Sequence, residues 1–169
     1  MILDVGNVIK LPYKGERLSM YIIAPTKDTT TDDVFTAIAS MDLNNFDDLL
    51  ESNTQTYLEM PKFKIESDYE LKPILNNLGL DYVFDAYSSD LSGFNADTGK
   101  SLMIDDIVQK AFIEVNEEGT EAAAATGIIA KSINFAPKRF VLNRPFLFFI
   151  RDLQTNVILF SGRVMHPKP

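Results

Sequence analysis

The chain has 169 residues, 46% of them hydrophobic and 24% charged, with a net charge of −8 and no cysteine. This is the composition of a folded domain, and it excludes disulfides and thiol chemistry. The acidic balance argues against nucleic acid or an anionic membrane as a partner, and no apolar run approaches the roughly 18 residues of a spanning helix.

The elements are predicted in chain order. No basic segment followed by an apolar one opens the chain, so no signal peptide is expected. Val5–Leu11 and Leu18–Ala24 are rich in β-branched and apolar residues. They are expected to be two strands joined through Pro12–Arg17 as a hairpin. Thr29, Thr30 and Thr31 offer N-caps, and Asp32 and Asp33 first-turn acids, for a helix near 32–41. Asn44 or Asn45 is expected to cap a second helix through Glu51. Thr56–Ile65 reads as a strand interrupted at Pro61. Ser67 and Glu70 have capping-box spacing. Leu71, Ile74, Leu75 and Leu78 then share one helical face, Pro73 is expected to kink that helix, and Gly79 to end it. Asp85–Ser101 is turn-rich and Ile104–Val115 is the next strand. Pro145–Arg151 and Val157–Val164 are apolar at nearly every position, which predicts strands covered on both faces, with Asp152–Asn156 as the turn between them. No linker or repeat interrupts this order, and the chain reads as one unit.

Candidate catalytic chemistry is sparse. His166 is the sole histidine and lies near the C-terminus, where a solvated side chain is expected rather than a general base. With no cysteine and one terminal histidine, Ser-His-Asp and Cys-His arrangements are nearly excluded, and zinc sites of the usual ligand count fail for the same reason. The pairs Asp32-Asp33, Asp47-Asp48 and Asp105-Asp106 could suggest metal or acid–base work, but the first two fall in expected helix first turns. No glycine spacing forms a phosphate loop. The chain is therefore expected to be no enzyme and to hold no cofactor or metal.

The run Asn116–Thr126 carries the most information. It follows an apolar segment and then loses every bulky side chain, with four alanines in succession from Ala122 to Ala125. One reading is a short exposed helix over Glu117–Ala125, since alanine has the highest helix propensity. Two turns are marginal alone, and Gly119 weakens them further. The other reading is a loop that can become a strand. In that case Thr120, Ala122, Ala124 and Thr126 share one face and are small enough to be buried in a crowded sheet, while Glu121 points the other way.

The flanks resemble a known family. Phe112–Thr126 looks like the hinge of the reactive-centre loop of serpins, and Phe140–Ile150 resembles their C-terminal signature. Leu159–Pro167 is similar to the family's last strand, and Val8–Gly15 and Leu18–Ile23 to two strands of its sheet B. Met60–Ser67 and Asp68–Pro73 match the segment between. The resemblance implies an α+β chain, the C-terminal portion of the serpin fold, with strands of sheets A, B and C and a few short helices. Residues 1–169 would then be a single partial serpin domain, less than half the family's usual length, without the helices and sheet-A strands that come first. One departure is Gln109, which stands where many members carry a histidine before the lysine of the strand leading to the hinge.

What the resemblance implies for function is serine protease inhibition. The protease attacks the exposed loop, becomes an acyl-enzyme, and is trapped as the loop inserts into sheet A as an extra strand. The hinge would be Glu117, Glu118, Gly119, Thr120, Glu121, Ala122, Ala123, Ala124, Ala125 and Thr126. The family's usual hinge length places the reactive bond at Ile133–Asn134, which suits an elastase-like enzyme; a trypsin-like enzyme would choose Lys131–Ser132. The partner is then a serine protease, and the setting is extracellular, with the cytoplasm as the other compartment open to it. Nucleic acid and membranes are not expected partners. A chain without the first sheet-A strands would expose apolar edges, so self-association or pairing with a missing N-terminal part is expected. The competing readings are a non-inhibitory relative, or a serpin-derived interaction fragment that pairs by strand addition.

Overall fold

The computed structural model describes residues 2–42, 46–50, 56–94, 102–116 and 138–167. Its strands are β1 (Ile2–Leu3), β2 (Gly6–Pro12), β3 (Leu18–Pro25), β4 (Thr56–Glu59), β5 (Phe63–Glu70), β6 (Val108–Val115), β7 (Lys138–Val141), β8 (Phe146–Asp152) and β9 (Ile158–Val164), and its helices are α1 (Thr31–Ala39) and α2 (Lys72–Asn77). Two compact units are formed, one by Met1–Phe63 with Val115–Pro169 and the other by Lys64–Glu114.

The first unit is built on a sheet of order β1-β2-β3-β8-β9, with every neighbouring pair antiparallel. The expected hairpin of β2 and β3 is present. Its connection closes with the Tyr13 N–H on the Leu18 carbonyl at 2.9 Å, and Gly15 takes the positive φ of 89° that the turn requires. Side chains alternate across β3 and β8. Tyr21 and Ile23 with Leu147 and Phe149 meet Val8, Val34 and Phe46 in the core. There Tyr21 stacks on Phe149 at 4.7 Å, and Phe46 lies edge-on to both rings at 5.6 and 5.7 Å. On the other face, Phe63 packs against Phe146 and Phe148.

Helix α1 begins as its sequence signals. The Thr30 side chain accepts from the Asp33 N–H at 3.2 Å, and Asp33 accepts from the Thr30 N–H at 2.8 Å, a complete capping box. The Thr30 hydroxyl, which donates to Asp33 Oδ2 at 2.7 Å, and then the Thr30 N–H hold the Asp33 carboxyl below its ordinary pKa. The helix docks through Val34, which is fully buried. Asp47–Leu49 forms a 3-10 turn; the expected caps Asn44 and Asn45 lie outside the described residues.

The second unit pairs β5 with β6. Lys64 lies over the Phe112 ring at 5.1 Å, Asp68 meets Lys110 at 3.3 Å, and the Leu71 N–H donates to the Ile107 carbonyl at 2.8 Å. Partner numbers fall as β5 rises, so the strands run antiparallel. The break expected at Pro61 separates β4 from β5.

Three expectations are corrected. Ser67 and Glu70 belong to β5 and not to a capping box, because the ladder to β6 takes the backbone through Glu70; α2 starts only at Lys72, and no side chain caps it. Pro73 consequently stands in the first turn, where its missing N–H has no intrahelical partner to lose, and produces no interior kink. Strand β9 is not covered on both faces: Val157, Ile158, Leu159 and Phe160 are 39–52% exposed. It is the edge of its sheet, whereas β8, buried at all seven positions, has β3 on one side and β9 on the other. Gly79 does end α2: at φ 84° it lets the Leu80 N–H reach back to the Leu75 carbonyl at 3.0 Å. The strand expected from Ile104 pairs only from Val108.

Candidate functional site

The candidate site is the segment between β6 and β7. Residues Glu117 to Thr126 of the expected hinge, and both candidate bonds, Ile133–Asn134 and Lys131–Ser132, lie outside the described residues. The strands on either side of them are described.

On the entry side, β6 alternates. Ala111 and Ile113 are half-buried and Val115 is buried, whereas Phe112 and Glu114 are exposed. The strand has β5 along one edge; among the described residues no strand is paired with its other edge. Gln109 is exposed. Period-two alternation ending on a buried valine fixes the register of β6, because a slip of one residue would turn Val115 outward.

On the exit side, β7 pairs in parallel with β4, Tyr57 standing opposite Arg139 and Glu59 opposite Val141. Parallel pairing joins segments distant in sequence. Arg139 donates from Nε to Glu59 at 3.0 Å and from a second nitrogen to the same oxygen. The Leu142 N–H donates to the Glu59 carbonyl at 2.9 Å, and Leu142 is buried. Glu59 thus holds the exit through both its side chain and its backbone. The sequence reading missed this clamp, and no local signal could have shown it, since a parallel partner is chosen by the fold.

At least one member of each acidic pair has a structural partner. Asp33 caps α1 and Asp32 pairs with Arg163 of β9 at 2.9 Å. Asp47 accepts from the Tyr21 hydroxyl at 2.7 Å and pairs with Lys10 at 3.1 Å. Burial first, and then that bond, raise the Tyr21 hydroxyl far above its ordinary pKa. Asp106 accepts from the Ile107 N–H at 2.8 Å. His166 is exposed beyond β9. No group of three His, Cys, Asp or Glu side chains that could hold a metal occurs among the described residues.

Strands β6 and β7, which flank the candidate segment, belong to different sheets. The family model of the serpins (serine protease inhibitors) matches residues 4–167, and the chain belongs to that family. It is 45% identical to iripin-3 of Ixodes ricinus over 167 residues, covering 96% of this chain and 41% of that protein. It is 41% identical to leukocyte elastase inhibitor A of Mus musculus, covering 95% of this chain and 44% of that one. A solved structure of tengpin, a thermophilic serpin, in its native state matches with a TM-score of 0.76 at 26% identity, covering 97% of this chain and 43% of that chain. The fold is therefore the serpin fold, mixed α and β, with strands of its sheets A, B and C and few helices. The chain spans about two fifths of the length of these relatives.

Proposed function

We propose that this chain is the C-terminal part of a serpin-type inhibitor of serine proteases, and not an enzyme. The observation that carries the reading is the small-residue run Thr120–Thr126, with Gly119 before it, placed between β6 and β7. A strand inserted beside β6 must bury one face and add main-chain hydrogen bonds. Thr120, Ala122, Ala124 and Thr126 can be buried without overpacking, and Glu121 stays in water on the opposite face. Glu117 to Thr126 then act as the hinge. The bait bond is Ile133–Asn134, with Lys131–Ser132 as the alternative. The elastase inhibitor among the relatives supports a β-branched aliphatic residue, Ile133, at the point of attack. We place the inhibitor in the extracellular space, with the cytoplasm as the alternative, and a segment N-terminal to this one as the companion that completes its sheets.

The test is to mix the purified chain, alone and with such an N-terminal segment, with pancreatic elastase and with trypsin. Denaturing gels and mass spectrometry then read the products. Trapping gives a covalent adduct of the protease with residues 1–133 or 1–131, and a released C-terminal peptide whose mass fixes the bond. Cleavage within 127–135 with the protease left fully active in both preparations would remove inhibition and leave only the bait.

A second reading has its own support. The exposed apolar residues Val157–Phe160 at the sheet edge suit a serpin-derived fragment that binds another chain by strand addition, a second copy included. Concentration-dependent association without any covalent adduct would favour it.

A further inference from the structure

Arg151 is a buried cation that makes no ion pair with a carboxylate among the described residues. It lies in β8 opposite Ser19 of β3, and the two residues are 2% and 0% exposed. Its Nη2 donates to the Asn156 side-chain oxygen, but Nε and Nη1 are buried with no acceptor, and the Ser19 hydroxyl is buried with no partner either. Three orphaned polar atoms on adjacent strands, on one face of the sheet, form a cluster and not scattered faults.

The nearby carboxylates are already engaged. Asp47 holds the Tyr21 hydroxyl and Lys10. Asp152, next along β8 and so on its opposite face, accepts from Arg17 Nε at 3.0 Å and Nη2 at 2.7 Å. Arg151 is close enough to the Tyr21 hydroxyl, itself bonded to Asp47, to oppose part of its upward shift by its charge and by a hydrogen bond. On the face of Arg151, the charged groups joined by these contacts are Arg151, Lys10 and Asp47, two cations and one carboxylate. Of these only Arg151 is buried; the Lys10 and Asp47 side chains are each about one-third exposed. Leaving a guanidinium dry and uncompensated is far more costly than leaving a neutral group so. Water would satisfy hydrogen bonds but not the charge.

We propose that Ser19 and Arg151 hold a small inorganic anion of the size and charge of chloride, one that stabilises the five-stranded sheet. Two features set the ligand class. The donors are a guanidinium and a hydroxyl, which bind an anion and not a cation. Their near-complete burial between packed strands favours a monatomic ion over sulfate or a nucleotide phosphate.

The test is equilibrium unfolding of the 169-residue chain by urea at fixed ionic strength, with chloride replacing fluoride stepwise. The unfolding midpoint should rise with chloride and level off, as linkage to one site requires. Ser19→Ala should weaken that dependence at least several-fold, and Arg151→Met should abolish it. If Arg151→Met does not fold, crystals of the wild-type chain soaked in bromide should show an anomalous peak within hydrogen-bonding distance of Arg151 and Ser19. A wild-type midpoint indifferent to chloride overturns the proposal. So does a chloride dependence equally strong in both variants, or an anomalous map empty at that place, and a neutral water would then be the occupant.

Discussion

Gly162→Ala is the sharpest probe of how β8 and β9 are joined. Gly162 stands opposite Phe148 in the ladder, and a Cβ at that position would lie 2.8 Å from Phe148 Cζ and 2.9 Å from Cε1. These atoms are ring carbons of a side chain that is 3% exposed and is backed by Phe63 at 5.4 Å between centroids, so the ring cannot swing aside freely. Overpacking of this kind costs about 1–3 kcal/mol. For a chain of this length, about 2 kcal/mol lowers Tm by about 4–8 °C. Urea unfolding followed by far-UV circular dichroism measures the loss. A double-mutant cycle then assigns it: Phe148→Leu removes the ring edge, at a cost of about 1 kcal/mol, and Gly162→Ala should be nearly neutral in that background. A coupling below about 0.5 kcal/mol, or a full penalty persisting in the Phe148→Leu background, would show that the close approach is not what requires glycine.

Four further outcomes are expected. Thr120→Arg should turn an inhibitor into a substrate, because inserting the hinge would bury an unpaired charge at a cost of several kcal/mol, roughly; gel-stable adduct should vanish while cleavage at the bait bond continues, and undiminished adduct would remove Thr120 from the inserted face. Tyr21→Phe should cost about 1.5 kcal/mol by urea unfolding, as it deletes a buried hydroxyl's bond to a carboxylate; since the folded pKa of that hydroxyl is raised above its unfolded value near ~10, its contribution is complete below that pH and lost above it, and a 295 nm titration should find one tyrosine that ionises only on unfolding. The Asp152 carboxyl is held below its ordinary pKa by Arg17 first and by the Gln154 N–H next, so its stabilisation is present above about pH 4 and disappears as pH falls through the depressed value; Asp152→Asn should flatten that acid limb, and an unchanged limb would show that Asp152 does not drive it. Leu159→Lys should abolish concentration-dependent association in sedimentation velocity if the β9 edge is where chains meet, because covering an unpaired ammonium costs about 4 kcal/mol, about a thousandfold in Kd; association as strong as wild type would move the interface elsewhere.

Local signals in the sequence were reliable where nothing distant competed with them. The hairpin of β2 and β3 rests on its own turn, and α1 rests on Thr30 and Asp33, three residues apart. Ser67 and Glu70 carry the same kind of spacing, yet they lie in a strand. The difference is β6. Contacts from Lys64 to Phe112 and from Asp68 to Lys110 join residues about forty positions apart, and together with the ladder they outweigh a cap of about 1 kcal/mol. Pro73 follows from the same shift: once the strand extends to Glu70, the helix begins late enough for proline to fall in its first turn. For the candidate site, the small-residue pattern of residues 120–126 was legible and the grip of Glu59 on Arg139 and Leu142 was not, because that grip depends on a parallel pairing with no local trace.

Strands β8 and β9 show where composition stops being informative. Both are apolar along most of their length, and from that alone both should be covered on each face. Composition states that a strand will be covered but does not say by what. For β8 the answer lies within the chain: β3 and β9 flank it, the Tyr21 cluster lies on one face and Phe63 on the other. For β9 the described residues supply only β8 and the Asp32–Arg163 pair, and Val157 to Phe160 stay open. No charged side chain interrupts those four positions, although charges are a common protection of an edge strand against pairing with other chains. An unguarded apolar edge fits a strand that is normally covered. Both functional readings therefore meet at β9: an inhibitor needs further chain there to complete its sheets, and an interaction fragment needs a partner's strand. What covers that edge separates the two readings, while the proposed trapping step turns on what flanks β6, in another sheet, where the hinge would insert.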